Sequence, residues 1–306
     1  MHRVGQGKPL VFVHGLLVNH KTWRKVVAEL QNDYECILPD LPLGAHSLPL
    51  PPGARPNVYL MADLMGAMLE ALDLRDVTLI GNDSGGAISQ FVVTRHPARI
   101  GKLVLTNCDA FRNFPPPILR PLKWATYVPG FLPLLGASSR LRLGQRILFG
   151  LVAKHPVPAE VARDILTPFI QNGAVRRDAG RFMQSIHPRQ TQEVAKKLPE
   201  FKRPVLLPWG QADPIFPLKF GHKLCAQFPD ARPQRAALGR ASHKQQQRLL
   251  TRVDPFANPD ALSIEILAFH KDQRRVAFPG AGPGIQQPDL TLIFGVGAEN
   301  SPSAGA

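Results

Sequence analysis

The sequence has few cysteines and no long apolar run. Its three cysteines, Cys36, Cys108 and Cys225, are widely separated and odd in number. That pattern argues against a disulfide framework and against the paired spacing of a zinc site. No run of about 18 apolar residues is present, so no transmembrane helix is expected. The first residues, MHRVG, lack the apolar core of a secretory signal. We therefore expect a cytoplasmic protein with reduced cysteines, no bound metal and no membrane span.

Acidic residues are also scarce. The chain has 23 Asp and Glu against 37 Lys and Arg, which gives a net charge of +14 at pH 7. Such a balance permits nonspecific contacts with nucleic acid or an anionic membrane. The basic residues are scattered through 112–189 and 232–252 and form no dense stripe interleaved with aromatic residues. A solvated basic surface, with no specific nucleic-acid binding, is the prediction.

Short apolar runs alternate with helical patterns along much of the chain. Four or five consecutive apolar residues are typical of strands buried on both faces of a parallel sheet. Such runs occur at 9–13, 35–39, 77–80, 103–106 and 204–208. Apolar residues at helical spacing fall at 22–31 and 58–72, and a third helix is predicted after the glycine pair at 85–86, over 86–96. The alternation predicts an α/β fold with a mostly parallel central sheet flanked by helices.

The alternation stops between about 110 and 200, where proline-punctuated segments rich in Leu, Phe and Arg replace it. We interpret residues 111–200 as helices inserted into an α/β core formed by 1–110 and 201–270. A last amphipathic helix is predicted over 258–270. Residues 271–306, rich in Gly, Pro, Ser and Ala, are typical of a disordered tail.

The segment VTLIGNDSGGA at 77–87 carries the strongest chemical signal. It is a predicted strand, then a small-x-nucleophile-x-small turn, then a helix, which is the pattern of a nucleophile elbow. A glycine-rich turn or a phosphate-binding loop is the alternative. The G-x-G-x-x-G dinucleotide fingerprint, which must follow a first strand, is not matched.

Two residues of this segment compete for the nucleophile position. With Asp83 there, the flanking positions that must be small are Gly81 and Gly85. With Ser84 there, one of them is Asn82, whose side chain is too large for the closely approaching backbones. The turn also requires a strained backbone, and Asp tolerates positive φ better than most residues. Asp83 is therefore the predicted nucleophile, and Ser84 is the alternative.

The segment VFVHGLL at 11–17, together with this turn, resembles the α/β-hydrolase family. The resemblance covers about residues 4–243. It implies an α/β-hydrolase fold with an inserted helical cap, and it points to the branch of haloalkane dehalogenases and epoxide hydrolases, which carries Asp at the elbow. It also implies an oxyanion hole formed by the backbone N–H groups of Leu16 and Ser84. His14 is expected to shape the loop.

The same resemblance implies the remaining members of a catalytic triad. In VLLPWGQAD at 205–213, the position of Asp213 matches the family's acid after a late strand. The alternative for Asp213 is an Asx turn ahead of a proline. Asp109 is a second candidate for the acid, since some haloalkane dehalogenases take theirs from the earlier strand. His243 falls in the window for the catalytic histidine, but the polar KQQQR that follows departs from the family pattern, so an exposed loop histidine stays open.

An aspartate nucleophile implies its own chemistry. A carboxylate with an ordinary pKa of about 3.9 is ionised at neutral pH and needs no base to attack. It can form an alkyl-enzyme ester with a small, mainly apolar molecule, which His243 and water then hydrolyse. No cofactor is required.

The substrate-specific parts of the family pattern are missing. Ser84, not Trp, follows Asp83, and the inserted segment holds one tyrosine, Tyr127, where epoxide hydrolases use two. We therefore predict a general hydrolase that acts on a small molecule. A serine esterase using Ser84 and a noncatalytic binding protein on the same scaffold are the alternatives. Oligomeric state does not follow from the sequence.

Overall fold

A seven-stranded sheet forms the centre of the protein. The computed structural model describes residues 1–150, 157–210 and 213–233. The strand order across the sheet is β1-β3-β2-β4-β5-β6-β7. β1 is antiparallel to β3, and every other neighbouring pair is parallel. The strands are β1 His2–Val4, β2 Lys8–Val13, β3 Tyr34–Leu38, β4 Val77–Asp83, β5 Ile100–Cys108, β6 Val205–Leu207 and β7 Ala231–Pro233.

The five predicted strands correspond to β2 through β6, since each apolar run lies within or overlaps a strand. The predicted helices at 22–31, 58–72 and 86–96 correspond to α1 Arg24–Leu30, α2 Val58–Ala71 and α3 Ser84–Arg95. Asn57 caps α2 because its side chain accepts a hydrogen bond from the N–H of Leu60 at 2.9 Å. The mostly parallel α/β fold predicted from the alternation is confirmed.

The sheet separates two apolar clusters. One face packs on α2 and α3 and includes Val11, Leu79 and Leu105, which are fully buried. The other face packs on α1 and includes Phe12, Ile80 and Val104. Successive residues of one strand thus point into different clusters, which is why continuous apolar runs mark the central strands.

Six helices lie in the chain between β5 and β6, with no strand among the residues described there. These inserted helices are α4 Arg120–Ala125, α5 Phe131–Ser138, α6 Arg142–Gly150, α7 Ala159–Gln171, α8 Gly173–Ser185 and α9 Pro188–Ala195. The Asp178 carboxylate of α8 ties them to the loop after β3: it accepts the N–H of Leu50 at 2.7 Å and lies 3.4 Å from Nε2 of His46. α10, Leu218–Cys225, connects β6 to β7.

Three predictions lie outside the described residues: the helix over 258–270, the tail 271–306 and the position of His243. Among the helices of the described ranges, none is long and apolar enough to cross a membrane.

Candidate active site

The chain turns sharply from β4 into α3 at Asp83. Asp83 has φ 54° and ψ −133°, and Ser84 is already the first residue of the helix. A Cβ added to Gly85 would lie 2.2 Å from the carbonyl oxygen of Val13, and one added to Gly81 would lie 2.5 Å from Oγ of Ser89. Both glycines are therefore required by close backbone approach. The strained residue of the turn is Asp83, at the position that the small-residue pattern selected for it.

Backbone donors surround the carboxyl group of Asp83. The N–H groups of Ser84 and Leu16 hydrogen-bond to it and act to lower its pKa. The loop that carries Leu16 approaches so closely that a Cβ on Gly15 would lie 2.1 Å from Oδ2 of Asp83. The two N–H groups predicted for an oxyanion hole thus already converge on the carboxylate. Their role in a reaction remains a prediction.

Burial dominates the ionisation of Asp83. Burial, with a smaller contribution from the negative charge of Asp213, raises the pKa of this carboxyl to about 7 against the opposing hydrogen bonds from Ser84 and Leu16. Transfer of a carboxylate from water into protein disfavours the ionised form. The protonated form of Asp83 is therefore favoured far more than the ordinary pKa assumed from the sequence would imply.

A second carboxyl group, that of Asp109, lies beside the turn. Asp109 follows β5 and is 1% exposed. Oγ of Ser84 donates to its Oδ2 at 3.1 Å and lies 3.4 Å from Oδ1 of Asp83. Oδ1 of Asp109 has no hydrogen-bond partner in the described part of the chain. Burial and the charge of Asp83 raise the pKa of Asp109 well above its usual range, which favours its protonated form.

Asp213 is held at the end of β6 by three donors. Its Oδ1 accepts the N–H groups of Ile215 at 2.8 Å and Phe216 at 2.9 Å, and its Oδ2 accepts Nδ2 of Asn107 at 2.7 Å. The first of these bonds is the Asx turn considered as an alternative. Asn107 also accepts the N–H of Gly210 at 2.8 Å and so links the ends of β5 and β6. The Asx turn leaves one carboxylate oxygen free of local turn bonds, so an acid role for Asp213 is compatible with it and stays a prediction.

The described histidines have other partners. The N–H of Leu41 donates to Nε2 of His14 at 2.8 Å, so its Nδ1 carries the proton that bonds to the carbonyl of Gly15 at 2.8 Å. Burial lowers the pKa of His14. Its place in the loop is structural, as expected. No histidine of the described ranges lines the cavity over Asp83, and His243 lies outside those ranges.

A mostly apolar cavity of about 60 Å³ lies over the turn. Asp83, Ser84 and Asp109 are the polar residues among its described walls. The apolar walls come from the loop after β2, from the segment before α4 and from the inserted helices, and they are Leu16, Leu17, Val18, Pro115, Pro116, Leu119, Leu122, Leu148, Phe149, Met183 and Ile186. Such a lining suits an apolar molecule, which would lie against the carboxyl groups of Asp83 and Asp109.

The two tryptophans and the tyrosine that could stand in for the missing family features lie elsewhere. The indole N–H of Trp209 donates to the carbonyl of Phe216 at 2.8 Å. Trp124 is 67% exposed and Tyr127 54% exposed, and neither lines the cavity. No indole N–H or phenol among the described cavity walls therefore faces the carboxyl of Asp83.

The structure also brings together groups that no sequence spacing could reveal. Nitrogen and oxygen atoms of His2, His20 and Asp40 lie within 4.8 Å of one another, an arrangement that could hold a metal ion and that the sequence did not predict. Asp40 already accepts both the N–H and Nδ1 of His20, at 2.8 and 2.9 Å. Hydrogen bonding alone accounts for this cluster, which is not among the cavity walls described above.

Comparison with known proteins assigns the family. Residues 8–240 match the family described as the alpha/beta hydrolase fold. The chain belongs to this family. It is 28% identical over 242 residues to a cis-3-alkyl-4-alkyloxetan-2-one decarboxylase of Shewanella oneidensis, with 74% of each chain covered. It is 36% identical over 108 residues to a 2-hydroxy-6-oxo-2,4-heptadienoate hydrolase of Pseudomonas putida, which covers 34% of this chain and 39% of the relative.

Solved structures agree with the family assignment at the level of fold. An ancestral haloalkane dehalogenase superposes with a TM-score of 0.65 at 19% identity, covering 89% of this α/β-hydrolase and 94% of the other chain. A meta-cleavage product hydrolase from Pseudomonas fluorescens gives 0.64 at 20% identity, with 89% and 93% covered. The predicted family, fold class and assignment as a hydrolase-family enzyme are confirmed at this level.

Proposed function

We propose that this α/β-hydrolase uses Asp83 as a nucleophile on a small, mainly apolar substrate and forms a covalent alkyl-enzyme ester. The observation that carries the proposal is the carboxyl of Asp83, held on a strained turn by two backbone N–H groups beneath an apolar cavity. The inserted helices act as a cap, because their side chains supply part of the apolar wall. A preorganised carboxylate in such a site needs little reorganisation to react.

In the first step, one carboxylate oxygen of Asp83 attacks an sp³ carbon of the substrate. The bond from that carbon to the leaving group breaks, and the leaving group departs with the electron pair. The N–H groups of Leu16 and Ser84, which hydrogen-bond to this carboxylate, orient it for the attack. Since the reactive form is the ionised one, the rate of this step rises with pH through the pKa of about 7.

In the second step, water attacks the ester carbonyl of Asp83. His243 takes a proton from this water, and Asp213 orients the histidine and stabilises its charged form. The N–H groups of Leu16 and Ser84, which already hydrogen-bond to the Asp83 carboxyl, stabilise the tetrahedral oxyanion. His243 then gives its proton to the departing alkoxide as the ester bond breaks, which releases an alcohol and restores the Asp83 carboxyl group. The step needs no cofactor.

Asp109 is the alternative acid, and its surroundings favour a different task. No cation of the described chain pairs with it, and burial raises its pKa and so favours the protonated carboxyl. A neutral carboxylic acid beside the nucleophile can protonate an oxygen leaving group as the carbon–oxygen bond breaks. Asp109 would recover that proton from the water consumed in the second step. Substrates whose leaving group is an oxygen atom are therefore favoured over haloalkanes. No indole N–H among the described cavity walls is available to hold a halide.

The Shewanella relative suggests a second candidate reaction. Its name specifies decarboxylation of an oxetan-2-one that carries two alkyl groups. The two alkyl groups of such a substrate are apolar, as the lining of the cavity requires. Attack of Asp83 on the sp³ ring carbon that bears the ring oxygen would break that carbon–oxygen bond and free a carboxylate. Loss of carbon dioxide would form the alkene as the ester bond breaks and would return Asp83. This route consumes no water and does not use His243.

Four variants separate these possibilities on a panel of oxetanones, epoxides and p-nitrophenyl esters. We expect Asp83→Asn to abolish turnover and Ser84→Ala to retain it. His243→Asn should trap the ester on the Asp83 peptide for a hydrolysed substrate but leave decarboxylation intact. In oxygen-18 water, a single hydrolytic turnover should label Asp83 itself. Asp109→Asn should slow substrates with oxygen leaving groups most.

Other outcomes would point elsewhere. Stoichiometric fluorophosphonate labelling of Ser84, with activity retained in Asp83→Asn, would replace the proposal by a serine esterase. A folded wild-type protein that is silent on the whole panel and forms no adduct would identify a noncatalytic binding protein on the same scaffold.

A further inference from the structure

The inserted helices expose large apolar side chains between residues 118 and 147. Eight of the eleven exposed large hydrophobic residues in the described chain lie here, and each is 53–68% exposed. The other three are 36–46% exposed and lie outside this stretch. The eight include Trp124, Tyr127, Leu134, Leu141, Leu143 and Ile147. Single exposed apolar residues are ordinary, but a concentration of this kind marks an interaction surface. We call the exposed side chains of 118–147 the outer patch.

The outer patch carries charge of one sign. Residues 118–147 contain five basic residues and no acidic one. Arg120, Arg140, Arg142 and Arg146 are exposed, and none has a carboxylate partner among the residues that the structure describes. The fifth, Lys123, lies with its Nζ 5.9 Å from the centre of the Trp124 ring. Apolar and cationic groups are thus interleaved on one short stretch of chain.

The apolar residues of the outer patch are not needed for the protein's own core. α5 turns Leu132 and Leu135 inward against Phe169 of α7, and α6 buries Phe149 in a second cluster. Leu134 of α5 and Ile147 of α6 remain outside, 68% and 61% exposed. A helix that is apolar on two sides can bury each side against a different surface. The inner partner is the rest of the protein.

We infer that the outer patch docks on an anionic lipid bilayer. Arginines beside exposed leucines, with a tryptophan and a tyrosine whose rings lie 5.9 Å apart, match the composition of surfaces that insert shallowly at the lipid headgroups. Trp and Tyr favour that depth because one end of each ring is apolar and the other polar. Cations without neighbouring acids are attracted to anionic lipids. This inference does not rest on the proposed chemistry of Asp83.

The positive charge of the outer patch argues against two alternative occupants, which are residues 234–306 of this chain and a second copy of the protein. Residues 234–306 of this chain contain eight basic and six acidic residues, so they bring a further net positive charge to a positive surface. A second copy would bring the same five cations of 118–147 and an overall charge of +14. Like charges at close range oppose both contacts. Nucleic acid would satisfy the arginines and leave the leucines in water.

Trp124 offers a direct readout of docking. Trp23 and Trp209 are 0% and 1% exposed, so Trp124 is the one tryptophan of the three whose emission responds to the surface. We expect the full-length protein to float with vesicles of phosphatidylglycerol and phosphatidylcholine, with a blue shift of emission and loss of acrylamide quenching. Trp124→Phe should still float but lose the spectral change. Pure phosphatidylcholine vesicles should bind far more weakly.

Charge reversal supplies the decisive variant. The triple substitution Arg140→Glu, Arg142→Glu and Arg146→Glu should weaken partitioning at least about 100-fold, because each basic residue near an anionic surface contributes about five-fold. These side chains are exposed, so the fold should be unaffected.

A matched control changes the same charge elsewhere. Lys8, Lys25 and Lys202 are exposed, and Lys8 and Lys202 lie at or before the starts of β2 and β6, away from the inserted helices. Their triple replacement by Glu should retain most of the binding. Equal loss in both triples, or binding independent of anionic lipid, would overturn the inference. Strong protection of Trp124 from acrylamide in the absence of vesicles would also overturn it. Sedimentation would then show whether a second copy covers the patch, which raises the molecular mass, or residues 234–306 do, which leaves it unchanged.

Discussion

Replacing Asp83 by Asn should stabilise the protein in a manner that depends on pH. Burial raises the pKa of this carboxyl from 3.8 to about 7 in the folded chain. Because the folded state holds the proton more tightly than the unfolded state, ionisation opposes folding. The penalty is absent below about pH 4, grows as pH rises and is complete above about pH 7. At 1.36 kcal/mol for each pH unit, it reaches about 4 kcal/mol.

Asn has nearly the shape of Asp, tolerates positive φ and carries no charge to desolvate. The variant should therefore match the wild type near pH 4 and exceed it by up to about 4 kcal/mol at pH 8, an upper value because Asp83 is partly exposed to its cavity. For a chain of this size that corresponds to about 10 °C in melting temperature. Thermal melts from pH 4 to 8 measure it, with Asp33→Asn, at an exposed position, controlling for the lost charge. A stability gain that is the same at pH 5 and pH 8 would refute the reasoning.

Three further predictions concern the same site. The kcat/KM of a substrate that is turned over should rise with pH through about 7, since Asp83 must ionise, and a pH-rate profile measures it. Gly85→Ala should cost several kcal/mol in urea unfolding because its Cβ would lie 2.2 Å from a carbonyl of β2, whereas Gly53→Ala, with nothing within 4 Å, should change stability by less than about 0.5 kcal/mol. Asn107→Ala should cost about 1–3 kcal/mol, because it strands a buried N–H and removes a donor from the acid candidate after β6.

The central sheet could be predicted because its strands are buried on both faces. Runs such as Val77–Ile80 contain no polar interruption, and the helical spacing between runs is equally plain. The edge strands β1 and β7 were missed. β1 reads His-Arg-Val with all three residues exposed, so nothing in its pattern distinguishes it from a loop. Three-residue edge strands owe their existence to a neighbour and carry little signal of their own.

The candidate site was predictable where local geometry dictates it. The turn at Asp83 requires Gly81 and Gly85, and that requirement is visible in the sequence. The hydrogen bond from the Ser84 hydroxyl to Asp109 could not be predicted, because it depends on the ends of β4 and β5 lying side by side. The raised pKa of Asp83 was missed for the same reason, since burial is a tertiary property. His243 remains a prediction, since it lies outside the described residues.

The amide of Asn107 has a consequence for where the acid of such a site can lie. By bonding to both Asp213 and Gly210 it fixes the ends of two neighbouring strands to each other, with Asp109 only two residues along the first. A histidine lying above these strand ends can be served by an acid from either one. In the proposed mechanism the acid could therefore lie on either strand end while the backbone and the nucleophile stay where they are.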